Sequence, residues 1–86
     1  FREQPDGSLL VRGRVDLRKL SENLGIAWEP DMDVATIGGL VTETLERIPA
    51  VGDAIDWNGH RIEVIRADRR HARLLRVSRH QTRFGQ

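Results

Sequence analysis

DVATIGGLVTETLERIPAVGDAI, residues 33–55, is the stretch on which the fold turns. Thr36 is a good N-cap, with an oxygen able to accept a free N–H of the first turn. Ile37, Leu40, Val41, Leu45 and Ile48 then recur at helical spacing and form one apolar stripe. Pro49 cannot continue the helix and is read as its stop. Gly38 and Gly39 stand inside the first turn, although each glycine costs a helix about 1 kcal/mol relative to alanine. Bare backbone there serves either an anion resting on free N–H groups or another part of the fold pressing close. The spacing lacks the Gly-Lys-Ser/Thr of a phosphate-binding loop and the dinucleotide fingerprint. Asp31 and Asp33, just upstream, repel a phosphate and already complement the helix dipole. The reading adopted is close packing.

Upstream, residues 8–15 (SLLVRGRV) alternate as a strand, with Leu9, Val11 and Val15 on one side. Asp16 caps a short helix carrying Leu17, Leu20 and Leu24, and Gly25 ends it with Ile26 packing behind. Residues 27–35 form an acidic connection. Downstream, Gly52-Asp53 turns the chain into the strand AIDW. Asn58-Gly59 is a type I′ hairpin signal, because that turn needs positive φ at both central residues. The partner strand HRIEVIRA puts Ile62 and Val64 on one face, and Ile65 breaks the alternation, which suggests a bulge or burial on both faces. Asp68-Arg69-Arg70 turns again into ARLLRVSR, with Leu75 and Val77 inward. The order β-α-α-β-β-β predicts an α+β fold: a small antiparallel sheet meander with two helices packed on one face. Residues 1–7 are expected to be a linker with a turn at Asp6-Gly7, residues 8–79 the domain, and residues 80–86 a flexible tail.

An 86-residue chain fits one domain. It has no cysteine, so neither disulfides nor thiolate zinc sites contribute. No apolar run approaches the ~20 residues that span a bilayer, and the opening FREQPDGS has no signal-peptide character. A start at Phe1 suggests a piece of a longer protein. Net charge is +1, but residues 1–57 carry six basic and eleven acidic residues while residues 58–86 carry eight and two. Such asymmetry fits an anionic partner, or attraction between the halves or toward a neighbouring domain.

Few residues invite chemistry. Glu29, Asp31 and Asp33 alternate like a cation loop, yet the sixth and twelfth positions of that register are Val34 and Leu40, not the glycine and glutamate required. His60, His71 and His80 have no metal-ligand spacing. Ser8, Ser21 and Ser78 have neither a base nor a nucleophile turn. Arg61, Arg66, Arg69, Arg70, Arg73, Arg76 and Arg79 make a basic hairpin that suits a phosphate backbone. Single-strand binders interleave aromatic platforms, however, and Trp57 is the only nearby ring. Trp28 and Trp57 read as packing residues at the core margin. No catalytic, cofactor-binding or metal residues are assigned, and no cofactor is expected.

The run Thr36-Ile37-Gly38-Gly39-Leu40-Val41, then Arg47-Ile48-Pro49, Gly52-Asp53 and Asn58-Gly59, followed by an Arg-bearing last strand, closely resembles the CorC/HlyC transporter-associated domain. The upstream DGSLLVRGRVDLRKLSENLG is similar to that family's opening, so the resemblance covers about residues 7–79. Glu46 departs from it, standing where the family has glycine before Arg47. The resemblance implies a C-terminal module on the cytoplasmic side of membrane proteins that also carry CBS and transmembrane domains. Such parents are associated with magnesium and cobalt efflux and include hemolysin-like proteins. The implied fold is similar to small FAD-binding-type α+β domains, with no flavin site established. The implied role is that of a non-enzymatic accessory domain acting through domain contacts or modulation of transport. Gly38, Gly39, Pro49, Gly52, Asn58 and Gly59 are its structural signature. A small basic binding module for nucleic acid or an anionic nucleotide is the rival reading, although nucleic acid is not the expected partner. A flavin-related enzyme fragment is a remoter one. Unpaired sheet margins leave a homodimer open.

Overall fold

The computed structural model describes residues 2–26 and 34–79. The elements are β1 (Arg2–Glu3), β2 (Leu9–Arg12), α1 (Leu17–Leu24), α2 (Ile37–Leu45), β3 (Ala54–Trp57), β4 (His60–Ala67) and β5 (Ala72–Arg79). The five strands form one antiparallel sheet in the order β1-β2-β5-β4-β3. Three consecutive strands make the expected meander, and β2 closes onto its last strand.

Register sorts the side chains. Leu9 pairs with Val77, Val11 with Leu75, Ile62 with both Ile55 and Val77, and Val64 with Leu75. Directly opposed residues share a face, so these side chains make one apolar surface. Leu17 and Leu20 from α1, with Ile37, Leu40 and Val41 from α2, are buried in the same cluster. Both helices therefore cover one face of the sheet. Leu10, Arg12, Leu74, Arg76 and Glu63 stand opposite one another on the other face.

Local signals explain the element ends. Asp16 accepts the N–H groups of Arg18 and Lys19 at 2.8 and 3.2 Å, and Thr36 accepts that of Gly39 at 3.1 Å. Gly25 closes α1 in the left-handed region, with the Ile26 N–H reaching back to the Ser21 carbonyl at 2.9 Å, as in a Schellman cap. Asn58 and Gly59 both have positive φ, 49° and 81°, as a I′ turn requires. The β4–β5 register skips from Val64 to Arg66, so the bulge falls at Ile65.

Four expectations change. Residues 2–7, expected within a linker, supply the edge strand β1 and a turn in which Asp6 accepts both the backbone N–H and the hydroxyl of Ser8. The strand predicted over 8–15 ends at Arg12, because the Val15 N–H folds back to the Arg12 carbonyl. Pro49 does not stop α2. The helix ends at Leu45, where Glu46 adopts left-handed φ, 57°, and its N–H caps Thr42. Ile48 consequently leaves the helical stripe and is 55% exposed. Trp28, the acidic cluster 29–33, His80 and the tail 80–86 lie outside the described residues.

A side chain other than glycine, asparagine or aspartate is strained at left-handed φ, by about 1–2 kcal/mol. Glu46→Gly should therefore stabilise the domain by about 0.5–1 kcal/mol after the entropy of the freer unfolded chain is subtracted. A urea midpoint that fails to rise would contradict strain at this cap.

Candidate functional site

The glycine pair sits on a backbone seam. The Gly38 N–H donates to the Gly13 carbonyl at 2.8 Å, and the Gly13 N–H donates to the Arg73 carbonyl at 3.0 Å. Leu17 N–H to Ala35 and Ile37 N–H to Val15 extend the contact, and Asp16 bridges Thr36. The two helix N-caps are thus paired side by side. A Cβ on Gly38 would stand 2.8 Å from the Gly13 oxygen, and one on Gly13 only 2.0 Å from the Ala72 oxygen. Gly39 is looser, its Cβ meeting only the Thr36 hydroxyl at 3.2 Å and Val34 beyond. Close packing therefore explains Gly38, while Gly13 carries an equal constraint that the strand reading overlooked. The N–H groups of Ile37, Gly38, Gly39 and Leu40 are all engaged within the fold, so they form no open anion cradle.

A second feature is the loop from Glu46 to Asp53. Arg47 grips Asp53 through two nitrogens, each 2.9 Å from a carboxylate oxygen. Asp53 also accepts the Ala50 N–H at 2.8 Å, and the Gly52 N–H and Asp53 carbonyl both bond to Val64 of β4. Pro49, within this loop, is buried, and Gly52 turns the chain at φ 99°. The result is a pinned loop that holds Ile48 and Val51, 55% and 64% exposed, out in solvent. They are the exposed large hydrophobic residues among those described. The arginine–aspartate pair keeps Asp53 below the usual carboxylate range, chiefly through its hydrogen bond from Arg47.

Third, an open groove of about 900 Å³ runs from the first turn of α2 past Gly13 and Ala72 to the outer sheet face. Arg12, Arg14, Arg66, Arg70, Arg73 and His71 line it, without any aspartate or glutamate among the described residues. The β4–β5 turn that forms one wall is set by Asp68. Its carboxylate accepts the N–H groups of Arg70 and His71 at 2.8 and 2.7 Å and pairs with Arg73 Nε at 2.6 Å. Those two backbone donors, with Arg73 adding to them, hold Asp68 down to about 2.

The other candidates disperse. His60 pairs with Arg79 at one end of the β4–β5 ladder, whereas His71 lies just before Ala72 at the other. Ser8 and Ser21 are buried in local hydrogen bonds, Ser21 to the Leu17 carbonyl at 2.9 Å. Trp57 is half-buried against the core, as a packing residue should be. Among the described residues no cluster of three metal-ligating side chains occurs, and no helix is long and apolar enough to cross a membrane.

The family model of the transporter associated domain, CorC_HlyC, matches residues 2–81. The chain belongs to this family. It is similar to the magnesium and cobalt efflux protein CorC of Escherichia coli (strain K12), 34% identical over 90% of this chain and 25% of that protein. It is likewise similar to the UPF0053 inner membrane protein YoaE of the same strain, 37% identical over 84% of this chain and 14% of that one. The domain therefore spans a quarter or less of the curated relatives it matches. Among solved structures, the transporter associated domain of a Xylella fastidiosa Temecula1 hemolysin aligns with a TM-score of 0.82 and 31% identity, covering 93% of this chain and 94% of that one. The resemblance read from the glycine pair and the Arg-Ile-Pro loop thus holds for sequence and fold alike. In this transporter associated domain both motifs have visible structural work: the first seats α2 on Gly13, and the second builds the pinned loop.

Two outcomes check this geometry. Gly38→Ala should destabilise the domain by about 1–3 kcal/mol through overpacking, with a smaller effect for Gly39→Ala. Equal denaturation midpoints for the two variants would contradict the seam. A carboxylate with a lowered pKa stabilises fully above its unfolded value, near 4, and loses that contribution as pH falls through its folded value. Asp68→Asn should therefore lower the urea midpoint at pH 6, and its gap from the unmodified chain should narrow between pH 4 and 2. A pH-independent gap would show that the turn does not depend on the ionised carboxylate.

Proposed function

We propose that this domain is a non-catalytic accessory module of a membrane ion transporter of the magnesium and cobalt efflux type. It lies on the cytoplasmic side and acts by contact with CBS and transmembrane domains of the same parent chain. Exposed Ile48 and Val51 on a clasped loop carry this reading. Single exposed apolar residues are common on protein surfaces. Two on one loop, held outward by a bidentate ion pair, are different: ordering that loop in advance removes an entropy cost from docking. The similarity to CorC, over a quarter of that protein's length, supports a transporter as the setting. Contact with a neighbouring domain would bury these side chains and couple the module to transport.

The chain has no cysteine, so Ile48→Cys introduces a unique thiol into the isolated domain. It should react freely with a maleimide there, and about tenfold more slowly within the full-length parent as burial denies access. Identical labelling rates in the two settings would refute docking through this loop.

A further inference from the structure

The arginine-lined groove has no part in that reading. Among the described residues no aspartate or glutamate lines this groove; Glu29, Asp31 and Asp33 lie outside them. Among the described residues, Arg73 is the groove arginine with a carboxylate partner, Asp68. Arg12, Arg14, Arg66 and Arg70 have no carboxylate partner among those residues. The register makes the concentration specific: Arg12 and Arg66 both oppose Leu74, one from β2 and the other from β4. Strands lie about 4.8 Å apart, which puts their backbones about 10 Å apart with both side chains on the same sheet face. Like charges so placed raise the local positive potential, which favours an anion between them.

We propose that this groove binds a multiply charged phosphoryl group, carried by a soluble polyphosphate or by a phospholipid headgroup. Guanidinium forks match phosphoryl oxygens in pairs. Four groove arginines with no carboxylate partner among the described residues suit a ligand with several charges better than one with a single carboxylate. The floor is suited to close approach: Gly13 and Gly38 present backbone, and half-buried Leu74 offers an apolar surface for the non-phosphoryl part of a ligand. About 900 Å³ is within the size of small-molecule sites. Recognition here is by side-chain charge. The helix N–H groups are spent on the seam, so the site does not depend on a free helix terminus. Asp68 contributes indirectly, fixing the turn that presents Arg70 and His71. The proposal is independent of any docking at Ile48 and Val51.

The test uses the 86-residue chain in metal-free buffer at low salt. Tripolyphosphate is titrated by calorimetry, and vesicles of phosphatidylcholine with or without phosphatidic acid, a phosphomonoester lipid, are used for flotation. Saturable binding of tripolyphosphate identifies a soluble polyphosphate site, and flotation only with the phosphatidic acid vesicles identifies a headgroup site. Either supports the proposal if Arg12→Gln with Arg66→Gln weakens it about tenfold, while exposed Arg18→Gln with Arg79→Gln leaves it within about twofold. Amide shifts on the unmodified chain should concentrate at Gly13, at Thr36 to Gly39 and at residues 70–74, a readout that needs no variant to fold. Neither probe binding, equal losses in both double variants, or binding only of a single-stranded oligonucleotide would overturn it.

Discussion

The fold depends on backbone lying directly against backbone at Gly13. That residue takes the end of β2, donates to the Arg73 carbonyl of β5 and accepts from Gly38 at the start of α2. No side chain fits at either glycine. Sheet and helix are therefore joined through hydrogen bonds with fixed geometry, whereas apolar packing alone tolerates sliding. Around this seam the pairing of Asp16 with Thr36 sets both helix starts together, which aims the Leu17, Leu20, Ile37, Leu40 and Val41 side chains into the same core. The helix-propensity cost of Gly38 is offset by that docking.

The seam also shapes the surface. Because β2 breaks off at Arg12 and the next residue is a bare glycine, a groove opens between the first turn of α2 and the β4–β5 turn. Arg12, Arg66 and Arg70 surround a site that the backbone leaves vacant of side chains. On a separate part of the molecule, the clasp between Arg47 and Asp53 solves a different problem. It gives a loop without secondary structure a defined conformation and turns two apolar side chains outward. The module thus presents one charged and one apolar surface, each stiffened by a single aspartate that accepts backbone N–H groups, Asp68 and Asp53 respectively.

Much of this was legible in the sequence where the signal is local. The caps at Asp16, Thr36 and Gly25, the I′ turn at Asn58-Gly59 and the irregularity at Ile65 each rest on a preference of one or two residues, and each appears where it was read. The stop of α2 was misread because proline is a strong local signal, while the true terminator is Glu46, a residue type with no special liking for left-handed φ. Glycine in the resembling family at that position was the available clue. The strand β1 was invisible, since two residues carry no periodicity and form a strand only because the Gln4–Ser8 turn lays them along β2.

By itself the sequence determined the fold class, the order of the elements from β2 onward, the inward faces of β4 and β5 and the family, because hydrophobic periodicity, caps and turn chemistry act over a few residues. Tertiary structure decided which glycines are indispensable, that Ile48 faces solvent, and that arginines from β2, β4 and the β4–β5 turn meet in one groove. The reason is distance along the chain. Arg12 and Arg66 are neighbours only through the shared partner Leu74, and Gly13 meets Gly38 only through the turn of an entire helix and its connection. Such encounters are set by strand register and helix docking, which are properties of the packed whole.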